Sequence, residues 1–128
     1  MRLLLDTHVF LWWIGDDPRV SLRAHKAIAM AENEVFLSVA SAWEIAVKTR
    51  LGKLALPADV ESFLPDQIQR NGISILPIGL AHALRLSLLP LHHRDPFDRM
   101  LVAQAQVENL TLVTADASLR RYDVKLCW

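Results

Sequence analysis

The chain has little of three things, and each shortage excludes a class of protein. Its only cysteine is Cys127, so no internal disulfide can form and a reducing compartment is expected. Its 14 basic residues are balanced by 14 acidic ones, so no overall positive charge points to nucleic acid, although local basic patches can exist. No segment reaches the ~18 apolar residues that span a bilayer. A cytoplasmic protein outside the membrane is therefore expected.

The N-terminus does not match a signal peptide. Asp6 and His8 interrupt the apolar run that begins at Leu3, and no small-residue cleavage site follows. Repeats, low-complexity tracts and long linkers are also missing. A chain of this length is predicted to form a single domain, residues 1–128, which buries roughly two-thirds of its unfolded surface. The apolar content of 52% is high for such a domain and favours a buried interface with a partner.

Short apolar runs alternate with helical segments along the chain. Strands are predicted at residues 2–6, 35–39, 73–77, 110–113 and 124–127. Helices are predicted at residues 7–14, 21–31, 41–51, 58–71, 80–88 and 96–108. The fourth helix is expected to be interrupted at Pro65, because an interior proline kinks or ends a helix. This alternation predicts an α/β fold with a central, mainly parallel sheet of four to five strands, covered on both faces.

Four acidic residues lie far apart in the chain, yet each sits where a predicted strand ends or a predicted helix begins: Asp6, Glu44, Asp98 and Asp116. The carboxyl ends of parallel strands form the ligand crevice of such a sheet, so acids placed there can meet in one pocket. Two carboxylates ~4 Å apart repel by about 4 kcal/mol at an effective dielectric near ~20. A divalent cation between them removes that cost, so the pattern predicts a metal site.

Each acid also has a structural interpretation as a helix cap. Glu44 has the spacing of a capping box with Ser41. Asp95 can cap a helix that begins at Pro96, with Asp98 in its first turn, and the remaining two acids can cap the helices that follow them. Capping is favoured for each acid taken singly. Four caps need not lie at matching sheet ends, however, so the joint pattern favours a shared site.

Four motifs, in order along the chain, carry a resemblance to a known family. They are Leu4-Leu5-Asp6-Thr7-His8-x-x-Leu11-Trp12, Ser38-x-x-Ser41-x-Trp43-Glu44-Ile45-x-x-Lys48, Asp95-Pro96-Phe97-Asp98-Arg99-Met100-Leu101-Val102-Ala103-Gln104-Ala105, and Leu112-Val113-Thr114-x-Asp116. Together they resemble the PIN-domain ribonucleases, specifically the VapC-type toxins of bacterial toxin–antitoxin systems. The match covers essentially the whole chain, and the third motif is the most specific. It implies a three-layer α/β/α PIN-like fold.

The resemblance also implies an activity and a set of catalytic acids, namely Asp6, Glu44, Asp98 and Asp116. The activity would be that of a Mg²⁺- or Mn²⁺-dependent endoribonuclease toxin, which hydrolyses RNA phosphodiester bonds with a water activated by the metal. We expect Asp6 and Asp98 to be the main metal ligands. Asp116 would bind through water or complete a second metal site. Glu44 would bind through water or orient the attacking water.

Further residues are expected to assist. Asp95 would be an accessory acid by the resemblance, and the hydroxyls of Thr7 and Thr114 can orient carboxylates or waters. Arg99, next to a proposed metal ligand, and Lys48 are hypothetical RNA-binding residues in an otherwise neutral chain. The alternative for Lys48 is a cation that complements a helix C-terminus.

Two other motif features are interpreted structurally. His92 and His93 lie beside Asp95, but no third ligand stands at metal-site spacing, so a solvent-exposed loop is predicted. Trp43 is predicted to lie in the core.

The family implies a homodimer and a VapB-type antitoxin, whose C-terminal segment would wrap the toxin and block the acidic pocket. The main alternative is a PIN-domain nuclease that acts in RNA processing or on structured DNA. A haloacid-dehalogenase-like phosphatase is disfavoured because its second aspartate is replaced by His8. A receiver domain is disfavoured because the third strand ends without an acid, and nothing favours a domain that binds without catalysis.

Overall fold

The apolar runs form strands and the segments between them form helices. In the computed structural model, which describes residues 1–128, the strands are β1 (Arg2–Leu5), β2 (Glu34–Ser38), β3 (Ser74–Leu76), β4 (Thr111–Val113) and β5 (Lys125–Cys127). The helices are α1 (Thr7–Ile14), α2 (Leu22–Ala29), α3 (Val39–Arg50), α4 (Val60–Arg70), α5 (Leu80–Arg85) and α6 (Pro96–Glu108). Two 3₁₀ turns occupy Leu86–Leu88 and Ala117–Arg121.

All five strands run parallel in the order β3-β2-β1-β4-β5. The chain therefore moves outward from the central β1 through β2 to β3. It then crosses back to β4, on the other side of β1, and moves outward again to β5. The direction of winding reverses between β1 and β4. In an open α/β sheet, the crevice for a ligand lies at this reversal, outside the carboxyl ends of the strands.

The central strand is buried on both faces, because successive side chains of a strand point to opposite sides. Leu3 and Leu5 belong to a core cluster with residues of α1, α2, α3 and α4. Leu4 points the other way, into a second cluster formed largely by α6, β4 and the segment around Tyr122. The sheet thus has a helical layer on each face. The predicted three-layer α/β/α fold is confirmed.

The predicted interruption at Pro65 is wrong. The helix α4 continues from Val60 to Arg70 with Pro65 inside it. Pro65 removes the bond to the carbonyl of Glu61 and crowds that carbonyl, but it does not end the helix. Regular bonding resumes afterwards, and the helix closes with the amide of Asn71 on the carbonyl of Gln67 at 3.1 Å.

The helix predicted at residues 80–88 is shorter than expected, since α5 ends at Arg85 and the chain tightens into a 3₁₀ turn. None of the helices combines the length and the apolar character that crossing a bilayer requires.

Candidate active site

Asp6 lies directly after β1 and has both of its carboxylate oxygens held. The Oδ1 atom accepts from the backbone amide of His8 at 3.0 Å, so the predicted cap of α1 is present. The Oδ2 atom accepts from the hydroxyl of Thr114 at 2.6 Å. The residue is only 6% exposed. Each oxygen keeps a second lone pair, so capping and cation binding are compatible at Asp6.

Glu44 is not part of a capping box, contrary to the capping interpretation. The cap of α3 is Ser38, whose hydroxyl accepts from the amide of Ala40 at 2.9 Å. Ser41 therefore lies inside the helix, and Glu44 lies in its second turn. The Glu44 side chain is nearly buried and forms an ion pair with Lys48, one turn further along α3. Its carboxylate is consequently available to the acidic cluster.

Asp98 stands at the third position of α6, as predicted from the cap at Asp95, whose Oδ1 accepts from two first-turn amides at 2.8 and 3.3 Å. The pKa of Asp98 is raised to about 7, first by burial and then by the negative charges of Asp6 and Asp95, with Glu44 adding to them. Two acids that are distant in sequence, Asp6 and Glu44, and the neighbouring Asp95 therefore act on this one carboxyl. Its charged form is the least stabilised in the cluster, which makes it the position where a cation relieves most repulsion.

Asp116 follows β4 and has donors on both oxygens. Its Oδ1 accepts from the amide of Ser118 at 3.0 Å and from the hydroxyl of the same residue at 2.6 Å. These bonds, the hydroxyl first, hold the pKa of Asp116 below its usual value. Its Oδ2 lies 3.2 Å from Nε2 of His93. The predicted cap of the 3₁₀ turn is present, and the carboxylate is less available than that of Asp98.

The two threonines named as accessory residues lie in different places. Thr114 donates to Asp6 and accepts from the amide of Asp116 at 3.0 Å, so it links the ends of β1 and β4. Thr7 donates to the hydroxyl of Ser41 at 2.8 Å and joins α1 to α3. Thr114 thus orients a carboxylate directly, as expected, whereas the hydroxyl of Thr7 bonds another hydroxyl.

His93 is the candidate site residue that the sequence interpretation missed. A solvent-exposed loop was expected, but its side chain is only 21% exposed, with Nε2 3.5 Å from Oδ2 of Asp98 and 3.2 Å from Oδ2 of Asp116. One ligand atom from each of the three residues lies within 4.8 Å of the others. The local signal was a histidine two residues before a helix-capping aspartate. Its partner Asp116 is 23 residues away, so no spacing rule finds it.

A cleft of ≈ 350 Å³ opens at the reversal between β1 and β4 and is lined by Asp6, His8, Val9, Trp12, Ala115 and Asp116. Carboxylate oxygens are the ligands that hard divalent cations prefer, and Mg²⁺ needs only one or two of them. Asp98 offers a carboxylate without a hydrogen bond from an amide or a hydroxyl. The residues therefore fit a divalent cation of the Mg²⁺ or Mn²⁺ type.

Comparison with known proteins agrees with this geometry. The family model described as PIN domain matches residues 3–125. The chain belongs to the PIN-domain family. The predicted family is thereby confirmed.

Two curated relatives of this PIN-domain chain come from Mycobacterium tuberculosis. Ribonuclease VapC22 is 33% identical over 122 residues, which cover 94% of this chain and 91% of that protein. Ribonuclease VapC16 is 50% identical over 50 residues, a segment that spans 39% of this chain and 36% of that protein. Both relatives are named as ribonucleases.

A solved structure shares the fold. VapBC2 from Rickettsia felis, bound to a DNA fragment from its promoter, matches over 98% of this chain and 97% of that one, with a TM-score of 0.75 at 18% identity.

The residues predicted to bind RNA have their donors engaged within this PIN domain. The Arg99 guanidinium donates to the carbonyl of Pro90 at 2.9 Å and to the hydroxyl of Tyr122 at 3.2 Å. The ammonium of Lys48 pairs with Glu44, and this hydrogen bond raises the pKa of Lys48. An RNA-binding role for either residue stays a prediction.

Trp43, predicted to be core, is 58% exposed, so that prediction is wrong. Its ring packs edge-on against Phe97 at 5.0 Å. This contact joins the helices α3 and α6, which carry Glu44 and Asp98.

Proposed function

We propose that this PIN domain, residues 1–128, is a divalent-metal-dependent endoribonuclease of the VapC toxin type. The observation that carries the proposal is the convergence of Asp6, Glu44, Asp98 and Asp116 at the carboxyl edge of the sheet, with the Asp98 pKa raised to about 7 first by burial and then by neighbouring acids. The PIN-domain match and the ribonuclease relatives support the same conclusion.

The four acids have different parts in this proposal. Asp6 and Asp98 would hold the cation, because Asp6 is oriented by two donors and Asp98 carries the least stabilised charge. Asp116 would act through water, since protein donors already engage both of its oxygens. Glu44 would orient the attacking water from its buried position on α3. A bound Mg²⁺ or Mn²⁺ would lower the pKa of a coordinated water and neutralise charge on the phosphate.

Accessory groups support these acids. Asp95 caps α6 and adds negative charge beside Asp98. Thr114 holds Asp6, and Thr7 fixes α1 against α3. Lys48 would contact RNA only if it left Glu44.

The proposed partners are RNA, a VapB-type antitoxin and a second copy of the chain. The VapBC2 structure and that of VapBC-5 from Mycobacterium tuberculosis, a member of the VapBC family of toxin–antitoxin systems, support the antitoxin. Exposed apolar side chains on α5 and the turn after it, at Leu80, Leu84 and Leu88, support a homodimer. A cytoplasmic location stays a prediction.

A cleavage assay with the purified protein tests the proposal. We expect cleavage of single-stranded RNA with Mg²⁺ or Mn²⁺, none with a chelator, and recovery when metal is returned. Asp98→Asn should lose cleavage, whereas the matched control Asp66→Asn, an exposed aspartate of α4 paired with Arg70, should not. Cleavage that persists in the chelator, or in Asp98→Asn, would contradict the assignment.

A second assay separates the toxin from the alternative nuclease of RNA processing or structured DNA. Induction of this chain alone should stop growth, and co-expression of its antitoxin should restore it. Cleavage of branched DNA in preference to RNA, without growth arrest, would favour the alternative.

A further inference from the structure

His93 contacts two of the proposed catalytic acids from outside the sheet. It lies in the segment between the 3₁₀ turn at Leu86–Leu88 and α6, and its Nε2 faces the Oδ2 atoms of Asp98 and Asp116 at 3.5 and 3.2 Å. Such distances also separate neighbouring ligands of one metal ion. Geometry alone therefore allows two roles for His93, a metal ligand or a hydrogen-bond donor to the carboxylates.

The other ring nitrogen distinguishes the two roles. The backbone amide of Asp95 donates to Nδ1 of His93 at 3.2 Å. Because Nδ1 uses its lone pair there, the proton of the neutral ring resides on Nε2. An Nε2–H group donates to carboxylates and has no lone pair for a cation. The amide that imposes this tautomer is well fixed, because Asp95 is the cap of α6.

The surrounding chain also holds the His93 ring in position. The backbone amide of His93 donates to the hydroxyl of Tyr122 at 3.0 Å. The same hydroxyl accepts from Arg99, which also holds the carbonyl of Pro90 at the start of the segment. Tyr122 itself is 4% exposed and packs in the second core cluster. The donor is thereby fixed between the two acids instead of moving freely in solvent.

We propose that His93 is a positioning residue that bridges Asp98 and Asp116 in the metal-free site, by a hydrogen bond to Asp116 and a longer contact with Asp98, and competes with the divalent cation and its coordinated waters for their facing oxygens. This rests on the proposed function only in taking the acids as a cation site. The bridge reduces the repulsion between two carboxylates before a cation arrives. The cation must then break the bridge, so His93 stabilises the metal-free protein and weakens cation binding at the same time.

Two substitutions at His93 test this role, with His92→Ala as the matched control. His92 is the adjacent histidine and stacks edge-on against Tyr122 at a centroid distance of 5.1 Å. His93→Ala removes the bridge, whereas His93→Gln retains a side-chain N–H at similar reach and lacks a basic nitrogen. The measurements are Mn²⁺ binding by calorimetry and the melting temperature with and without Mn²⁺.

We expect His93→Ala to melt at a lower temperature without metal and to bind Mn²⁺ about 3- to 10-fold more tightly, the effect of losing one competing hydrogen bond. Its melting temperature should therefore rise more on adding Mn²⁺ than that of the wild type. His93→Gln and His92→Ala should both stay close to the wild type.

Three results would overturn the inference. Weaker Mn²⁺ binding by His93→Ala, with loss of a nitrogen coupling from the pulsed electron paramagnetic resonance spectrum of bound Mn²⁺, would make His93 a ligand. If His93→Ala bound Mn²⁺ as tightly as the wild type but melted at a lower temperature, His93 would have only a packing role. No Mn²⁺ binding by the wild type would remove the cation site itself, and the proposed function with it. Because RNA is absent from these measurements, a failure to cleave RNA leaves the test of His93 intact.

Discussion

The two sides of the acidic cluster, Asp6 with Glu44 and Asp98 with Asp116, hold their carboxylates differently. On the sheet side, the side chains of Asp6 and Glu44 are 9% and 4% exposed, and a fixed donor meets each, the Thr114 hydroxyl and the Lys48 ammonium. On the other side, the side chains of Asp98 and Asp116 are 21% and 39% exposed, and His93 reaches both from a loop. The first pair is held by Thr114, directly after β4, and by Lys48 of α3. In the second pair, Ser118 also holds Asp116, but the one group that reaches both acids is His93 from a connecting segment.

The difference indicates where the cation is needed. A hydroxyl donor and an ammonium satisfy the buried charges of the sheet side without any metal. On the α6 side, the pKa of Asp98 is raised to about 7, first by burial and then by neighbouring acids, so protein groups leave its negative charge uncompensated. Affinity for the cation should therefore arise mainly from Asp98, and orientation of the site mainly from Asp6.

The comparison is tested most strongly by replacing one acid from each side with its amide. Asp98→Asn and Asp6→Asn should each reduce RNA cleavage by more than about 100-fold, because both remove charge that stabilises the transition state through the cation. Their metal-free stabilities should move in opposite directions. Asp98→Asn relieves repulsion and should stabilise the protein, whereas Asp6→Asn weakens the bond from Thr114 and should cost about 1 kcal/mol.

Cleavage rates and urea unfolding in a chelator measure both effects, with Asp66→Asn as the control for the substitution itself. A stability change of the same sign in the two variants would mean that the two sides are not distinguished as described.

Lys48→Met tests the sheet side alone. It leaves Glu44 buried without a counter-ion, and breaking such a pair should cost about 3 kcal/mol of unfolding free energy. Glu44→Gln combined with Lys48→Met should recover most of that loss, because no charge then remains buried. Chemical denaturation of the single and double variants gives the coupling free energy between Glu44 and Lys48.

Lys53→Met is the matched control, since Lys53 is exposed and its side chain forms no ion pair. If Lys48→Met were no more destabilising than this control, the ammonium would not be what stabilises Glu44.

The features that sequence predicted well are those encoded locally. The apolar runs at Leu3 and Leu112 form neighbouring strands in the central region of the sheet, since continuous apolar strands are buried on both faces of a parallel sheet. The positions of Asp6 and Asp116 at the ends of those strands follow from the same runs. Local sequence therefore predicts where these strands end and which acids follow them, without any knowledge of tertiary contacts.

The features that sequence missed depend on competition between local alternatives or on distant partners. Ser38 and Ser41 are equally good caps by composition, and the end of β2 selects Ser38, which frees Glu44. His93 is placed through Tyr122, 29 residues further along, and no local pattern encodes that contact.

A further predicted effect is the pH dependence of the metal-free protein, which tests the α6 side. The pKa of Asp98 rises from 3.8 to about 7 on folding, so its proton stabilises the folded state at low pH, and that contribution is lost as pH rises through about 7. Between pH ~5.5 and ~8, the wild type should lose about 1–2 kcal/mol relative to Asp98→Asn, which cannot titrate there.

Urea unfolding of the wild type and Asp98→Asn over this pH range, in the presence of a chelator, measures the difference in unfolding free energy. If the unfolding free energies of the two proteins changed with pH in parallel, Asp98 would not be the acid whose pKa is raised on folding. Saturating Mn²⁺ should offset the loss that accumulates as pH rises to ~7, because a cation takes the place of the proton and binds better as the carboxyl ionises. The same carboxylate would then account for both the instability of the metal-free cleft and its affinity for metal.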